Sequence, residues 1–494
     1  MSWFSPILMV GVPLFVAFLI PLLGYIHKKA GLYAMSLTLL FNTVAGFYFL
    51  PKVFVKPIRV IVAGYKPPFG INLAITPFSI FMACLISLMG FLVSLYLLKD
   101  NTTETQEKFS MLILLVVMGS TGIVLTGDIF NMFVFLEITS ISSYALTAIK
   151  KDRKGSEAGI KFLLVGSISS TLLLLGIALI YNQLGTLNIA DIANRFSQMN
   201  PKVAFLAVSF LFLGFGIESE MFPLNAWAPD VYQGAPAPVA ALFSAVTVKA
   251  GLYAMVRFLF TVVNMPVFVK ALLVFGVLTV IVSELSALRQ KDVRRMLGYS
   301  SLGQIGLILF AIGIGTTGAL KGAIFHFINH AILKATLFLT IGLLAKAAGG
   351  STFEDLKGIG KKYPFLAGIF AIAALGVMGF PPLNGFMSKL MILTAAVKAE
   401  HILLVMLILA ASVIEGVYYF RVLQIMFKEP EPTRIEKKAI PLFSVIPLVI
   451  LVVAIVGIGL FPGVLTPYLK GVTMDIMNRS NYIAAMLGSV GGGL

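Results

Sequence analysis

The chain has 494 residues, of which 59% are hydrophobic and only 12% are charged, and its mean hydropathy is +0.98. A soluble protein contains about twice that charged fraction, so the composition excludes a soluble protein and indicates a polytopic membrane protein. The net charge of +16 would suit nucleic-acid binding, but the basic residues lie in short loops between apolar segments, as membrane topology requires. The single Cys84 excludes a disulfide framework and a cysteine metal site, and it argues against haem or iron–sulfur ligation in this chain.

Apolar segments long enough to cross a bilayer recur along the whole chain. A spanning helix needs about 20 residues. The first segment lacks a basic region and a small-residue cleavage site, so we interpret it as a span and not as a signal peptide. We predict an all-α membrane protein with about fourteen spans: 4–26, 32–50, 74–98, 109–126, 129–149, 159–182, 202–221, 237–261, 266–288, 296–314, 319–347, 364–397, 401–427 and 440–461. The spans 319–347 and 364–397 are so long that we expect a break in each.

The basic residues predict the orientation of the chain. More of them lie in and beside the odd-numbered loops than the even-numbered ones, which predicts an N-terminus outside the cell. The second loop, 51–73, opposes this assignment because it contains four basic residues.

A proline motif occurs twice. The sequence PLNAW begins at Pro223, and PLNGF begins 159 positions later at Pro382. Five spans fit in that offset, so the two halves would have opposite topology, as in transporters with inverted repeats and broken helices. A simple proline kink is the alternative, since proline removes one helix donor and frees a carbonyl. The predicted helix-break residues are Pro223, Asn225, Pro381, Pro382 and Asn384.

Charged residues occur within the apolar segments, where a charge is unfavourable by roughly 2.5–3.5 kcal/mol on insertion scales. Such residues usually line an ion path, and the candidates are Glu137, Lys249, Lys334 and Lys389. Each has a structural alternative: a protonated carboxyl bonded to a neighbouring helix, a fixed ion pair, or a lysine that snorkels to the interface. Arg257 and Arg421 lie nearer the ends of spans, and we expect their side chains to snorkel.

Two histidines and a lysine form a stripe in the eleventh span. His326, His330 and Lys334 have the spacing i, i+4, i+8, which places them on one helical face. Histidine titrates near neutral pH and can pass protons. Two histidines at i, i+4 can also hold zinc, but there is no HExxH motif and no nearby acidic ligand, so we predict a proton relay and no metal.

Four segments resemble a known family: 222–254, 287–306, 326–339 and 379–389. They are similar to the antiporter-like subunits of respiratory complex I, the D-type subunit of Mrp sodium/proton antiporters, and relatives in archaeal membrane-bound hydrogenases and sulfur-reducing complexes. The resemblance runs from about residue 74 to 428. It implies two inverted five-helix repeats, spans 4–8 and 9–13, with broken helices 7 and 12. The corresponding domains are an N-terminal segment 1–108, the half-channels 109–261 and 262–428, and a C-terminal helix and tail 429–494.

The resemblance also implies an ion path along the membrane midplane. The family has a glutamate in span 5, lysines in spans 7 and 8, a lysine or histidine in span 11, and a lysine or glutamate in span 12. The matching residues are Glu137, Lys249, Lys334 with His330, and Lys389.

One position departs from the family. The span-7 lysine stands five residues before the first motif proline, and this chain has Glu218 there. Two close carboxylates would share a proton or bind a cation, so we predict a modified relay or a sodium site near Glu137 and Glu218. A degraded first half-channel is the alternative. Glu220 lies two residues on, and we expect it to point to another face.

The resemblance implies a proton- or sodium-translocating subunit of a multisubunit redox-driven or Mrp-type complex in a prokaryotic plasma membrane. We expect no redox cofactor in this chain; iron–sulfur, NiFe or flavin groups would lie in partner subunits. The expected partners are other membrane subunits, lipid, protons and sodium ions, with no nucleic acid. A free-standing secondary transporter and a structural spacer without transport remain as alternatives.

Overall fold

The computed structural model describes residues 4–27, 29–62, 64–98, 106–263, 265–429 and 439–488. Most of them are helical. The helices are α1 (Leu8–Ile26), α2 (Ala30–Val55), α3 (Pro77–Leu97), α4 (Gln106–Leu125), α5 (Ile129–Thr147), α6 (Arg153–Leu184), α7 (Ile189–Arg195), α8 (Pro201–Glu218), α9 (Ala228–Gly234), α10 (Ala237–Leu242), α11 (Val248–Arg257), α12 (Pro266–Leu288), α13 (Val293–Ile314), α14 (Thr317–Ala348), α15 (Ile359–Lys362), α16 (Pro364–Met378), α17 (Asn384–Lys398), α18 (Ile402–Phe427), α19 (Leu442–Leu460), α20 (Thr466–Met477) and α21 (Arg479–Leu487).

Other elements are few in the described ranges. Two strands, β1 (Ile58–Ile61) and β2 (Asn72–Ile75), form an antiparallel pair between α2 and α3. Two π-helical turns, Phe243–Thr247 and Phe258–Val262, make α10 and α11 part of one continuous span. Short 3₁₀ turns follow α7 and α19.

The all-α membrane fold is confirmed. Thirteen helices among the described residues are long and apolar enough to cross a bilayer, and the shorter apolar α16 continues after a break as α17. Each of the fourteen predicted spans coincides with one of these helices or with the α16–α17 pair. The chain is therefore a multi-pass membrane protein. The domain boundaries at 108, 261 and 428 stay predictions.

The two expected breaks in long spans have different outcomes. In the span predicted at 364–397, Gly379 ends α16 with φ +83°, and the helix resumes only at Asn384. The break expected in 319–347 is wrong, because α14 is continuous over 32 residues. No proline interrupts α14, so every residue in it can donate its backbone hydrogen bond.

The first proline motif also lies outside regular helix. Helix α8 ends at Glu218, and the chain makes a series of turns over 219–227 before α9 begins. Proline cannot donate a backbone hydrogen bond, which favours an interruption of the helix at Pro223. Both motifs therefore coincide with interruptions of helix, at the places where the sequence predicts them.

The interior is built around the central helices. Helices α3, α10, α11 and α13 bury most of their side chains, whereas α1, α6 and α18 turn apolar residues such as Phe15, Leu164 and Val413 outward. An outward apolar surface of this kind fits contact with lipid. Helices α12 and α13 approach through Gly276 and Gly306, where a Cβ on Gly306 would meet the Gly276 carbonyl oxygen at 2.8 Å. Small residues permit such close helix packing in membranes.

The C-terminal helices contact the interior through a buried ion pair. Arg257 Nη2 lies 2.8 Å from Asp475 Oδ2 on α20 and 2.7 Å from Thr76 Oγ1 before α3. The expectation that Arg257 snorkels is wrong, because its guanidinium is buried and also lies over the ring of Tyr482. Arg421 is exposed and lies over the ring of Phe353.

Candidate ion-translocation site

The first part of the site is a pair of carboxyl groups between α5, α6 and α8. Glu137 accepts a short hydrogen bond from Ser170 Oγ. Glu218, the last residue of α8, interacts with the Ser169 and Ser140 hydroxyls and, electrostatically, with Glu137. The structure therefore brings together the two acids that the sequence predicts as a pair, and it surrounds them with hydroxyls.

A small cavity of about 20 Å³ adjoins Glu218. Its lining includes Ser140, Ser143, Trp227 and Thr247, and the buried Trp227 Nε1 has no partner among the described residues. A polar cavity of roughly 10–15 Å³ or more can hold one water molecule. The cavity thus has the size and the polar groups for a single water beside Glu218.

Glu220 lies in the turn after α8 and is 1% exposed. Its φ of +58° is in the left-handed region, which turns the side chain away from the α8 face. Glu220 Oε1 accepts a hydrogen bond from the Tyr232 hydroxyl at 2.8 Å, and Asn225 Nδ2 donates to the Glu220 carbonyl oxygen at 3.0 Å. The Glu220 carboxyl group lies beside Tyr232 and interacts electrostatically with Lys249.

Lys249 and His330 meet at the centre of the molecule. Lys249 is fully buried at the start of α11, where its Nζ donates to the Ser244 carbonyl oxygen at 2.8 Å and makes a short hydrogen bond with His330 Nδ1. Ser244 lies in the π-helical turn before α11. The other ring nitrogen of His330, Nε2, lies 3.2 Å from Ser301 Oγ on α13.

The stripe on α14 is buried along its whole length, as the spacing predicts. His326, His330 and Lys334 are each at most 1% exposed. Lys334 Nζ donates to Ser300 Oγ at 2.6 Å and to the Tyr419 hydroxyl at 3.1 Å. The stripe therefore faces α13 and α18 and has no contact with lipid.

His326 connects the stripe with α13 and α17. Its Nδ1 lies 2.9 Å from Ser388 Oγ, and its Nε2 lies 3.0 Å from Gln304 Oε1. Gln304 Nε2 then donates to Glu415 Oε1 at 2.7 Å. A glutamine thus bridges the histidine and a buried carboxylate.

The last part of the site is a cluster of charges between α12, α17 and α18. Lys389 Nζ lies 2.6 Å from Glu415 Oε2, and Glu284 Oε2 accepts from the Tyr418 hydroxyl at 2.8 Å. Glu284 interacts electrostatically with Glu415, Lys389 and Lys334. Lys389 is 8% exposed and paired, so it does not snorkel.

The two motif asparagines support the helix interruptions. Asn225 braces the first turn through Glu220, and the carbonyl oxygen of Asn384 accepts from Asn329 Nδ2 at 2.8 Å. The side-chain amide of Asn384 is buried without a partner in the described part of the chain. Pro381 and Pro382 occupy the gap between α16 and α17.

Sequence reasoning missed Gln304, Glu284 and Glu415, and it missed that Glu220 faces Lys249. The signal for two of these residues was present, since Glu284 in VIVSELSAL and Glu415 in SVIEGVYYF lie within apolar runs, like Lys249. Glu220 could not be placed from helical periodicity, because it lies after the helix end.

Across the described ranges, no group of three or more His, Cys, Asp or Glu side chains is arranged to hold a metal ion. The sodium site predicted near Glu137 and Glu218 stays a prediction.

Residues 126–415 match the family model described as NADH:quinone oxidoreductase/Mrp antiporter, TM. The chain is 34% identical over 482 residues to the N-type subunit of the NADH-quinone oxidoreductase of Desulforudis audaxviator, covering 92% of this chain and 95% of that protein. It is 32% identical over 450 residues to the D-type subunit of the Na(+)/H(+) antiporter of Alkalihalophilus pseudofirmus, covering 89% and 90%.

Solved structures of similar chains also come from membrane complexes. A chain of the membrane-bound sulfane sulfur reductase, an archaeal respiratory membrane complex, is 41% identical with a TM-score of 0.92, covering 98% of this chain and 99% of that one. A chain of the Mrp complex from Dietzia sp. is 25% identical with a TM-score of 0.90, covering 99% and 100%. A chain of respiratory complex I from Thermus thermophilus is 25% identical with a TM-score of 0.78, covering 94% and 99%.

Proposed function

The chain belongs to the family of antiporter-like membrane subunits found in NADH:quinone oxidoreductases and Mrp antiporters, and we propose that it translocates protons, sodium ions or both as one subunit of a larger membrane complex. The observation behind this proposal is the series of buried and half-buried titratable groups that runs through both halves of the chain. It includes Glu137, Glu218, Lys249, His326, His330, Lys334 and Lys389.

Neighbouring groups in the series are joined by hydrogen bonds or by electrostatic interaction. Lys249 bonds to His330, which shares the polar face of α14 with Lys334 and His326. From His326 the bonds continue through Gln304 to Glu415 and Lys389. Hydrogen bonds therefore join Lys249 to His330 and join His326 to Glu415 and Lys389, while His330 and His326 interact electrostatically; such a connected series of titratable groups is what a proton relay requires.

Paired charges supply the driving mechanism. Two opposite charges about 4 Å apart attract by about 4 kcal/mol at an effective dielectric constant of roughly 20. Making or breaking one such pair shifts a protonation equilibrium about a thousandfold. Opening the Lys389–Glu415 pair would therefore change which groups nearby hold protons, and a movement in a partner subunit would be coupled to ion movement in this chain.

The acidic pair at Glu137 and Glu218 is the proposed sodium-binding or proton-sharing group. Carboxylate and hydroxyl oxygens are the ligands that hard cations prefer, and Ser140, Ser169 and Ser170 surround the pair. Glu218→Gln is expected to abolish sodium-dependent transport in vesicles containing the complex. Unchanged sodium-dependent transport by this variant would favour the degraded half-channel.

Two other functions have less support. A free-standing transporter would need a cavity with ligand-shaped polar groups, whereas the polar groups here are mostly protonatable and are strung through both halves. A structural spacer would not need a buried Lys249 or Lys389. Replacing either lysine with methionine in the complex, followed by transport measurements in vesicles, tests the proposal: both changes should abolish transport, and normal rates in both variants would support the spacer.

The partners follow from the same proposal. The structural relatives are chains of multisubunit membrane complexes, so other membrane subunits would surround this chain, and any iron–sulfur, NiFe or flavin group would lie in those subunits. We place the chain in a prokaryotic plasma membrane with its N-terminus outside. Gentle purification from the native source, with identification of the associated chains, tests this assembly; recovery of the chain alone would contradict it.

A further inference from the structure

The turn after α8 holds a carboxyl group in an unusual backbone conformation. Glu220 has φ +58°, a left-handed value that few residues other than glycine adopt. Non-glycine residues held in this region are mildly strained and cluster at functional sites. This conformation places the Glu220 side chain in the protein interior, on the Lys249 side of the turn.

Among the described residues, one oxygen of the Glu220 carboxyl group has no hydrogen-bonding partner. Glu220 Oε1 accepts from Tyr232, but Oε2 is fully buried and has no hydrogen bond within the described residues. Buried polar atoms are nearly always hydrogen-bonded, and an unpaired buried charge is strongly unfavourable. Oε2 therefore needs a proton or another bonding partner at that position.

Tyr232 connects Glu220 with the centre of the molecule. The Tyr232 hydroxyl donates to Glu220 and also interacts with the Ser244 and Ser301 hydroxyls. Ser301 Oγ lies 3.2 Å from His330 Nε2, and His330 Nδ1 bonds to Lys249. Hydrogen bonds therefore join Ser301 to Lys249 through His330, and the Tyr232 hydroxyl, which donates to Glu220, lies beside Ser301.

We propose that Glu220, and not Glu218, is the carboxyl group that exchanges a proton with Lys249 through Tyr232, Ser301 and His330. The inference rests on the proposed ion-translocating function and names the carboxyl partner of the central lysine. The family pattern assigns no role to the position of Glu220. The position that matches the family's span-7 lysine is Glu218.

The transfer balances as a series of hops. An N–H bond of the Lys249 ammonium breaks and its proton goes to His330 Nδ1, while the Nε2 proton of His330 goes to Ser301. The Ser301 hydroxyl proton goes to Tyr232, and the Tyr232 hydroxyl proton goes to Glu220 Oε1. The result is a neutral Lys249 amine and a protonated Glu220, with the three intermediate groups restored in their protonation.

Glu220→Gln tests the proposal in the reconstituted complex, because glutamine keeps an acceptor for Tyr232 and cannot exchange the proton. We expect transport to fall by roughly 100-fold, the usual contribution of a general acid–base group. Glu220→Asp keeps a carboxyl group and should restore much of the rate. As the pH is varied, the infrared carbonyl-stretch band of a protonated carboxylic acid should change in the wild type and in Glu220→Asp more than in Glu220→Gln, whereas a permanently protonated structural residue would give no such difference.

A second variant, Tyr232→Phe, tests the relay independently in case Glu220→Gln fails to fold. Tyr232 stacks on Phe338 with ring centroids 5.1 Å apart, so Tyr232→Phe keeps this packing and removes the hydroxyl. The transport rate of Tyr232→Phe should fall by a factor similar to that of Glu220→Gln. Normal transport in Glu220→Gln or in Tyr232→Phe would overturn the relay. If Lys249→Met blocks transport while Glu220→Gln does not, the relay is wrong and the function stands; if Lys249→Met transports normally, the function itself is wrong.

Discussion

Lys389 Nζ lies 2.6 Å from Glu415 Oε2, and the two residues come from α17 and α18. Because α17 follows the break after α16, this ion pair holds the start of an interrupted helix against a continuous one. The pair is also part of the charge cluster with Glu284 and Lys334. A movement of α17 away from α18 would therefore open the ion pair and change the electrostatic potential at Glu284 and Lys334.

Glu415→Ala should be strongly destabilising, because it leaves Lys389 buried without its partner. Breaking a buried pair from one side typically lowers the free energy of unfolding by about 3–5 kcal/mol. Thermal unfolding in detergent measures the effect. Glu157→Ala is the control, since the Glu157–Lys161 pair is exposed and exposed pairs contribute little to stability. Equal effects of the two variants would contradict this account.

Gln304→Leu should separate His326 from Glu415 while preserving side-chain volume. Gln304 bonds to both residues, so leucine leaves a histidine nitrogen and a carboxylate oxygen unpaired. Each unpaired buried group lowers stability by about 1–3 kcal/mol, and we expect ion transport to stop. Gln290→Leu is the matched control, because its amide bonds only to the Ser286 carbonyl at the end of α12. An unchanged transport rate in Gln304→Leu would show that Gln304 is not part of the ion path.

Asp230→Asn should destabilise the protein near neutral pH and much less in acid. Asp230 lies in α9, outside the helices long enough to span the bilayer; burial alone would raise its pKa, but hydrogen bonds from Lys161 and Arg295 lower it below the ordinary 3.8. The contribution of the carboxylate is therefore complete above that ordinary value and is lost as the pH falls through the lowered pKa. Since Lys161 is partly exposed, we expect about 1–2 kcal/mol.

Thermal unfolding of the wild type and of Asp230→Asn across the acid range measures this dependence. The difference between the two proteins should shrink on acidification. A difference that stays constant from neutral pH into strong acid would show that the Asp230 charge has no part in it.

Gly385→Ala should disturb the contact between α16 and α17. A Cβ at Gly385 would collide with the carbonyl oxygen of Gly376, a backbone atom that cannot move aside cheaply. Overpacking of this kind lowers stability by about 1–3 kcal/mol. Gly368→Ala, on the same helix as Gly376, is the control, because nothing lies within 4 Å of its added Cβ. A melting temperature unchanged in Gly385→Ala would mean that the break is not tightly packed.

The spans and the buried lysines could be predicted from sequence because both depend on local apolar runs. His326, His330 and Lys334 share a face since helical periodicity is regular through α14. The partners of these groups could not be predicted, because they come from distant helices: Gln304 and Glu415 are 111 residues apart in sequence. The length of α14 wrongly suggested a break, because a long helix stays continuous where no proline removes a backbone donor.

The pairing of Arg257 with Asp475 has a consequence for how the protein is made. The two residues are 218 positions apart, so Asp475 is synthesised roughly 10–40 s after Arg257 at about 5–20 residues per second. During that interval the guanidinium lacks its counter-charge and cannot be enclosed in a dry interior. We expect α11 to settle into its final place only after α20 has been synthesised, and truncation before α20 to leave the chain unable to complete its assembly.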